Sequence, residues 1–427
     1  MTAFAPDLHR AAPALLPARC DVLVVGAGPA GSACALTLAR AGLDVVLVDQ
    51  QAFPRDKVCG DGLIPDAHEA LRRLGLYDVV MARAQAVPHV ACFAPRGGRV
   101  DVPGRLAVLP RRELDDLLKQ GAEQAGARFF APWRFEAPLL GSEGRGEGHD
   151  GEARVIGARL TSTGAGAHEV RARWVVLATG AVPKALMAAG LCERHTPSCV
   201  ALRAYVRHPA MSARITDLEV VWHPALRGGY GWIFPAPEGV FNIGVGLSQS
   251  HARDAGGGRK AMQDVNLRDM FAAFVRVHPH AAELMAGGQV VSALKGAPMR
   301  CSLDGARHSR PGLLVTGEAA GSTYAFTGEG IGKALETGIL AAEAVLAEPD
   351  EARTRDRYEA ALQSLKPRFA LYERASHVNA HPWLADLLIW RAQRSARVLR
   401  GMAAVLEERS NPGQLVSLRG LLKLFLP

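Results

Sequence analysis

The sequence predicts an α/β fold in which strand–helix units with glycine-rich turns are interrupted by a β-rich insertion and followed by a helical region. Three observations predict it. Short apolar runs end in glycine-rich turns at three distant places, two intervening stretches are rich in Val, Trp, Tyr and Phe with short alternating runs, and apolar residues recur at helical spacing from Asp350 onward. A chain of 427 residues also suits two interleaved domains better than one.

The first unit lies in residues 21–49, "DVLVVGAGPAGSACALTLARAGLDVVLVD". Asp21–Val25 is a short apolar run typical of a buried parallel strand. A helical pattern follows to about Ala41, and a second strand runs from Val45 to Asp49. This order of strand, glycine-rich turn, helix and strand predicts a βαβ unit.

Gly26, Gly28 and Gly31 stand in GxGxxG spacing between the first strand and the helix. The first glycine permits a tight turn, the second lets a pyrophosphate approach the backbone, and the third lets helix pack on strand. Asp49 ends the second strand, where a carboxylate accepts hydrogen bonds from ribose hydroxyls. The unit therefore predicts a dinucleotide site.

Two later strands, within Arg171–Gly180 and Gly312–Gly321, also end in small-residue turns. The second leads into Gly317–Gly338, "GEAAGSTYAFTGEGIGKALETG", where "GEGIG" precedes a helical pattern. Bare backbone N–H groups at such a helix start favour negative charge on a ligand. We expect this stretch to form the other half of the site.

The two β-rich stretches and the helical end complete the predicted domains. Segments 20–80, 109–185 and 296–350 are expected to form the nucleotide-binding domain, 81–108 and 195–295 a substrate domain inserted into it, and 351–427 a helical cap.

Composition excludes several classes of function. The net charge is +8, but the arginines are scattered, so we do not expect nucleic-acid binding. Seven cysteines at irregular spacing argue against both a disulfide framework and a zinc site, and indicate a reducing cytoplasm. We expect neither a secretory signal nor a membrane-spanning segment. His278 and His280 lie two apart in "VHPH", and without a third ligand nearby in sequence we interpret them as a helix-end turn and expect no metal.

The order of these units resembles the large family of FAD enzymes that includes the aromatic hydroxylases. The family's late "GD" motif, whose acid binds the ribityl chain, corresponds here to Gly317 and Glu318, with an acid one methylene longer. An arginine before a helix usually contacts the flavin side, and in "LPRRELDDLL" we expect Arg112 rather than Arg111, which lies one residue further from the helix. The resemblance implies a Rossmann-like FAD-binding domain.

Three stretches narrow the resemblance. In the order "FPRDKVCGDGLIPDAHEALRRLGL" (53–76), "GGYGWIFPAPEGVFNIGVG" (228–246) and the late glycine-rich segment, they are similar to the geranylgeranyl reductase family of flavoproteins, which saturates isoprenoid double bonds. The middle stretch also resembles the WxWxIP signature of flavin-dependent halogenases. It differs from that signature at Tyr230 and Phe234, which disfavours halogenation.

The resemblance implies two sets of site residues. FAD would be held by residues of both halves: Gly26, Gly28, Ala30, Gly31, Asp49, Gln50, Lys57, Arg112, Gly317, Glu318, Gly330 and Ile331. The reacting side would be formed by the Cys-Gly turn and by an aromatic wall on one strand face: Cys59, Gly60, Tyr230, Trp232 and Phe234. The aromatic residues can line a substrate channel or simply form core, and Cys59 can fill a tight turn or take part in chemistry.

Three functions remain open. A reductase would pass a hydride from FAD to a carbon–carbon double bond of an apolar, prenylated substrate, and NAD(P)H or a separate reductase would supply the electrons. A monooxygenase, either hydroxylase or epoxidase, would share the architecture but let oxygen reach the flavin. A non-catalytic flavin-binding protein is the third. Family resemblance favours the reductase.

The C-terminal helices carry arginines at steps of three: Arg391, Arg394, Arg397 and Arg400. A basic amphipathic helix can lie on an anionic membrane, and it can equally cap a substrate channel. We expect a cytoplasmic protein, with peripheral membrane contact as an open alternative.

Overall fold

The computed structural model describes residues 15–141, 152–193, 198–248 and 265–409. The strands of this part are, in chain order, β1 (Arg19–Val25), β2 (Val45–Val48), β3 (Gly62–Leu63), β4 (Gln85–Phe93), β5 (Arg99–Val108), β6 (Arg128–Phe130), β7 (Arg134–Leu140), β8 (Val155–Ser162), β9 (Gly166–Leu177), β10 (Cys199–Arg207), β11 (Leu218–Val221), β12 (Gly229–Ala236), β13 (Val240–Leu247), β14 (Gln289–Val290), β15 (Lys295–Met299), β16 (Ser309–Arg310) and β17 (Leu313–Val315).

The α-helices of the same part are α1 (Pro29–Arg40), α2 (Pro65–Arg73), α3 (Tyr77–Met81), α4 (Arg111–Gln124), α5 (Lys184–Ala188), α6 (Leu267–Val277), α7 (Pro279–Gly287), α8 (Ile331–Ala347), α9 (Glu351–Ala375), α10 (His377–Ala380), α11 (Trp383–Ala392) and α12 (Ala396–Leu406). Short 3-10 turns occur at Pro209–Met211, Pro224–Leu226, Pro237–Gly239 and Gly317–Ala320.

The first sheet carries the glycine-rich units and is mostly parallel. Its strand order is β16–β17–β9–β1–β2–β6, and β8 continues it from β9 to β7. Val24 of β1 pairs with Leu47 and Val176 on either side, and all three are buried. Strands covered on both faces require such continuous apolar runs. Because parallel strands end at one edge, the turns after β1, β9 and β17 meet there.

The second sheet holds the strands of the insertion. Its order is β14–β10–β13–β12–β11–β4–β5–β3, with β15 also paired to β10. β3 comes from the first segment of the chain and joins by pairing Gly62 with Val108 of β5. The loop before β3 therefore runs from the first sheet to the second.

Helices α1 and α8 pack in unusually close contact. A Cβ added at Gly338 of α8 would lie 2.2 Å from the carbonyl oxygen of Ala30, and one at Gly317 would lie 2.5 Å from the Ala30 Cβ. Only glycine permits these approaches. They bring the middle of α8, and the turn at Gly317, beside the start of α1, although the two helices are far apart in sequence.

The last helices cover the second sheet. On β5, a Cβ at Gly104 would lie 2.6 Å from the Leu406 Cδ2 of α12, and near the start of that strand one at Gly98 would lie 3.2 Å from the Ile389 Cγ2 of α11. Within the described ranges, none of the helices combines the length and apolarity that crossing a membrane requires.

The α/β class and the helical C-terminal region predicted from sequence are confirmed. The division into domains stays a prediction. The strands of the two sheets are divided along the same segments, except that β3 and most of β15 lie in segments of the predicted nucleotide-binding domain but belong to the second sheet. Residues 142–151 of the predicted nucleotide-binding domain, 195–197 and 249–264 of the predicted substrate domain, and 410–427 of the predicted cap lie outside the described residues.

Candidate functional site

The turn after β1 has the geometry that the GxGxxG spacing predicts. Gly26 has a φ of +104°, and a Cβ there would lie 2.3 Å from the Ala178 carbonyl oxygen. A Cβ on Gly31 would lie 1.7 Å from the Gly26 carbonyl oxygen. Gly28 caps α1 without a side-chain hydrogen bond and lines the cavity, which leaves the first N–H groups of the helix available to an anion.

Asp49 fixes the neighbouring edge of the cavity. Its carboxylate accepts hydrogen bonds from the N–H groups of Ala27 and Gln51, each at 2.9 Å. The side chain is largely buried and lines the cavity together with Gln50. An acid held in this way at the end of β2 is positioned for a ribose hydroxyl.

Two arginines converge beside Gly28. Arg111 donates to both oxygens of the buried Asp115, at 2.6 and 2.8 Å, and Arg55 pairs with the same carboxylate at 3.0 Å. Burial alone would lower the pKa of Arg111, but Asp115 outweighs it and raises that pKa, so the guanidinium stays charged. Two fixed cations at the start of α1 suit a pyrophosphate.

We expected Arg112 to contact the cofactor, but the structure places Arg111 on the cavity wall and leaves Arg112 exposed. The reason is helical periodicity. The buried face of α4 repeats at positions 111, 114, 115 and 118, so residue 112 points to solvent.

The loop from Cys59 to Gly62 is clamped by a buried hydrogen-bond network centred on Asn242. The Asn242 amide donates to the Cys59 carbonyl and to the Asp61 carboxylate, each at 2.7 Å, and accepts from the Trp232 indole N–H at 3.0 Å. The Tyr205 hydroxyl also donates to Asp61, at 2.5 Å. The network fixes the loop against the second sheet.

Burial shifts both acids of this loop. It raises the pKa of Asp61 to about 6, although hydrogen bonds from Tyr205 and Asn242 act in the opposite direction. It also raises the pKa of the Cys59 thiol, which is therefore neutral at ordinary pH. A thiolate role for Cys59 is disfavoured by this environment.

The predicted aromatic wall lines the cavity. Tyr230, Trp232 and Phe234 follow one another along one face of β12, with ring centroids 6.2 and 6.4 Å apart. The Tyr230 hydroxyl donates to the Thr327 carbonyl in the late glycine-rich segment. A Cβ on Gly60 would lie 3.1 Å from the Phe234 ring, so the Cys-Gly turn packs directly on the wall.

The late segment forms the opposite side of the cavity. Glu318, Gly330 and Ile331 line it, and Lys57 lies 3.9 Å from the Glu318 carboxylate. Gly330 precedes α8 without a side-chain cap, so the first N–H groups of that helix are available.

Most predicted residues therefore meet in one cavity. Those that line it are Gly26, Gly28, Ala30, Asp49, Gln50, Lys57, Cys59, Gly60, Tyr230, Trp232, Phe234, Glu318, Gly330 and Ile331. Gly31 and Gly317 instead lie behind the wall, where they allow close packing. The individual roles assigned to all of these residues stay predictions.

Sequence reasoning missed a charged cluster at the start of α8. The Lys333 ammonium group is almost fully buried and pairs with Glu336 at 2.6 Å, Glu408 at 3.0 Å and Asp66 at 3.6 Å. Glu329 lies beside it on the cavity wall. Asp66 and Glu408 belong to segments distant from Lys333 in sequence, so no local pattern joins them to it.

The cavity has a volume of about 940 Å³ and extends well beyond the nucleotide half. Its far end lies between the second sheet and the C-terminal helices. Apolar side chains line that end, among them Val90, Val102, Val220, Leu388, Met402 and Leu406. A nucleotide at the glycine-rich end would leave this slot for an apolar molecule.

Comparison with known proteins identifies the cofactor. Residues 19–215 match the FAD-binding domain family. The chain is 35% identical over 339 residues to a menaquinone reductase of Mycobacterium tuberculosis, covering 76% of each chain. It is 30% identical over 351 residues to digeranylgeranylglycerophospholipid reductase 1 of Methanopyrus kandleri, covering 79% of this chain and 86% of the relative.

Proteins of known structure share this fold. A geranylgeranyl bacteriochlorophyll reductase-like protein from Thermoplasma acidophilum superposes with a TM-score of 0.71 at 21% identity, covering 95% of both chains. The cofactor is FAD, and the uncapped helix start with its two arginines fits the pyrophosphate of that molecule.

Substitution of Arg111 tests which of the two arginines contributes to FAD binding. Arg111→Met should weaken FAD binding about 10- to 100-fold, because a charge-assisted hydrogen bond contributes about 1.5–3 kcal/mol. Arg112→Met, one residue away on the exposed side, should bind as the wild type does. Titration of the apoprotein with FAD, followed by quenching of flavin fluorescence, measures both. Equal affinities in the two variants, both with native circular dichroism, would contradict the assignment.

Proposed function

The chain belongs to the geranylgeranyl reductase family of FAD-dependent oxidoreductases, and we propose that it reduces carbon–carbon double bonds of an apolar, prenylated substrate. The observation that carries the proposal is the apolar slot beyond the aromatic wall. The names of the curated relatives, a menaquinone reductase and a prenylated-lipid reductase, support the same substrate class.

The walls of the slot suit a hydrocarbon chain. Val90, Val102 and Val220 come from the second sheet, while Leu388 and Met402 come from α11 and α12. A chain placed between them would exchange water for apolar contact on two sides, at about 25 cal/mol per Å² of buried apolar surface. The aromatic wall marks the point where the chain would meet the cofactor.

FAD bound here and reduced by an external donor would supply the hydride for one alkene carbon, and the second alkene carbon must then receive a proton. Several acids line the cavity, and Glu329 is the one whose pKa is raised furthest, so we assign it this step. Burial is the largest cause that raises the pKa of Glu329, to about 8, and the Asp66 carboxylate adds to the effect. The carboxyl group is therefore protonated at neutral pH and can donate its proton into the slot.

The start of α8 provides a complementary charge. Its free N–H groups and the positive end of the helix dipole stabilise negative charge on the ligand placed there. Lys333 is occupied by its three carboxylate partners, so it balances those acids rather than the cavity. Electrons reach the site from outside the chain, through NAD(P)H or a separate reductase.

A monooxygenase is the second candidate, because the same cavity would hold an aromatic substrate. The neutral Glu329 favours the reductase, since protonation of an alkene carbon needs an acid in an otherwise apolar slot.

Anaerobic reoxidation separates the candidate functions. Protein reduced with dithionite should be reoxidised by a geranylgeranyl lipid whose head group is not redox-active, with appearance of the saturated product by mass spectrometry. The saturated analogue of the substrate is the control and should leave the flavin reduced. Reoxidation only after oxygen is admitted, with an oxygenated product, would establish the monooxygenase instead. If neither the alkene nor oxygen reoxidises the flavin with formation of a product, the result would indicate a non-catalytic protein.

The pH profile tests Glu329. Turnover should be high below about pH 8 and fall as the pH rises through that value, because the protonated form is the active one. Glu329→Gln should lose this dependence and most of its turnover, while FAD binding persists. Glu343→Gln, at an exposed position of α8, the helix that follows Glu329, is the control. Wild-type turnover in Glu329→Gln would exclude the role.

We also propose that α11 and α12 contact an anionic membrane. Trp383 and Trp390 are 58% and 44% exposed and lie seven residues apart, on one side of α11. The Arg394 guanidinium lies over the Trp390 ring at 4.9 Å. Exposed tryptophans beside arginines are typical of a membrane interface. The inner side of α11 lines the slot through Leu388, so a lipid substrate would have a short path to it.

Vesicle flotation tests this surface. Wild-type protein should float with vesicles that contain anionic lipid and less with neutral ones, since both apolar and basic groups contribute. Trp383→Ser combined with Trp390→Ser should reduce the bound fraction several-fold without loss of FAD. Replacement of the exposed Leu140, which lies in the first sheet, is the control. Equal flotation of the double variant would contradict the proposal.

A further inference from the structure

A buried carboxylate and two histidines meet on the back of the second sheet. The His278 Nε2 lies 2.8 Å from Glu219 Oε2, and the His280 Nδ1 lies 2.7 Å from Glu219 Oε1. One ligand atom from each residue lies within 4.8 Å of the others. Glu219 belongs to β11, whereas the histidines lie at the junction of α6 and α7. The third ligand that the sequence around "VHPH" lacks is supplied from a distant strand.

The cluster is separate from the redox cavity. Leu218 and Val220, the neighbours of Glu219 on β11, line that cavity. Because side chains alternate along a strand, Glu219 points to the opposite face of the sheet. Nothing in the proposed reduction uses these three residues.

The donor atoms match those of a divalent transition metal. Two imidazole nitrogens and one carboxylate are a donor set that zinc accepts, with water completing four-fold coordination. The Glu219 side chain is 2% exposed, and both of its oxygens face imidazoles rather than lysine or arginine. A divalent cation would compensate this buried carboxylate charge.

The surroundings hold the imidazoles in place. The Phe274 ring stacks on His278 at 5.7 Å with an interplanar angle of 7°, and Phe93 contacts the same ring edge-on at 4.9 Å. The two histidine rings are inclined at 75°, so their nitrogens approach the carboxylate from different directions. The His280 side chain is 20% exposed, which gives water and a metal ion access.

We propose that Glu219, His278 and His280 bind one divalent transition-metal ion, with Zn²⁺ the best match, and that the ion ties the junction of α6 and α7 to β11. A ligand-to-metal distance of about 2.0–2.2 Å requires only small side-chain shifts from the observed spacing. The role is structural: the metal would stiffen a strand whose other face forms the substrate slot.

Zinc titration of the FAD-loaded, untagged full chain tests the site. After dialysis against a chelator, competition with a chromophoric zinc indicator should show one tight site per chain. Glu219→Gln and His280→Gln should each weaken it by at least about 100-fold. The exposed His381→Gln is the matched control and should bind as the wild type does. Zinc should also raise the melting temperature of the wild type and the control, but not of the two site variants.

Flavin absorbance and circular dichroism establish that each variant is folded. If a site variant fails to fold, the wild-type stoichiometry and the zinc-dependent rise in its melting temperature still decide the question. Absence of a tight site in the wild type, or equal affinity in Glu219→Gln, would overturn the proposal and leave a hydrogen-bonded cluster.

Discussion

The contact between α1 and α8 at Ala30 is the constraint on which the site depends. Gly317 and Gly338 accept this residue at distances that no side chain would tolerate. The approach places two helix N-termini, from opposite ends of the sequence, on the same cavity. A ligand between them therefore meets positive helix ends at two places, which suits a molecule with a pyrophosphate in its middle and a reducible ring at one end.

A second constraint holds the loop from Cys59 to Gly62 against the second sheet. Asn242 holds the Cys59 loop through the backbone carbonyl and through Asp61, and its own amide oxygen is held by Trp232. Each polar group in this buried network has a partner, and an unpaired buried group costs about 1–3 kcal/mol. The aromatic wall and the cofactor loop are thus positioned by the same amide, although they are far apart in sequence.

The features that the sequence predicted are those governed by local rules. Glycine spacing between a strand and a helix and the alternation of Tyr230, Trp232 and Phe234 follow from backbone geometry, and both have the predicted structure. Whether Arg111 or Arg112 faces the cavity depends on which side of α4 is buried. The distance of each arginine from the predicted start of the helix does not indicate that side. Asn242 contacts the loop before β3 and Glu219 contacts the junction of α6 and α7, and because these segments are distant in sequence, no local pattern marks either residue.

Glu408, at the end of α12, accepts hydrogen bonds from Tyr324 and Lys333 and pairs with Arg368. One carboxylate thus fastens the last described helix to the start of α8 and to α9. A chimera that takes its C-terminal helices from a related chain would need an acidic residue at this position. Without it, Lys333 would keep only Asp66 and Glu336 as counter-charges. The C-terminal helices that cover the slot would also lose their polar contacts with Tyr324 and Lys333, at the end of the slot nearest the cofactor.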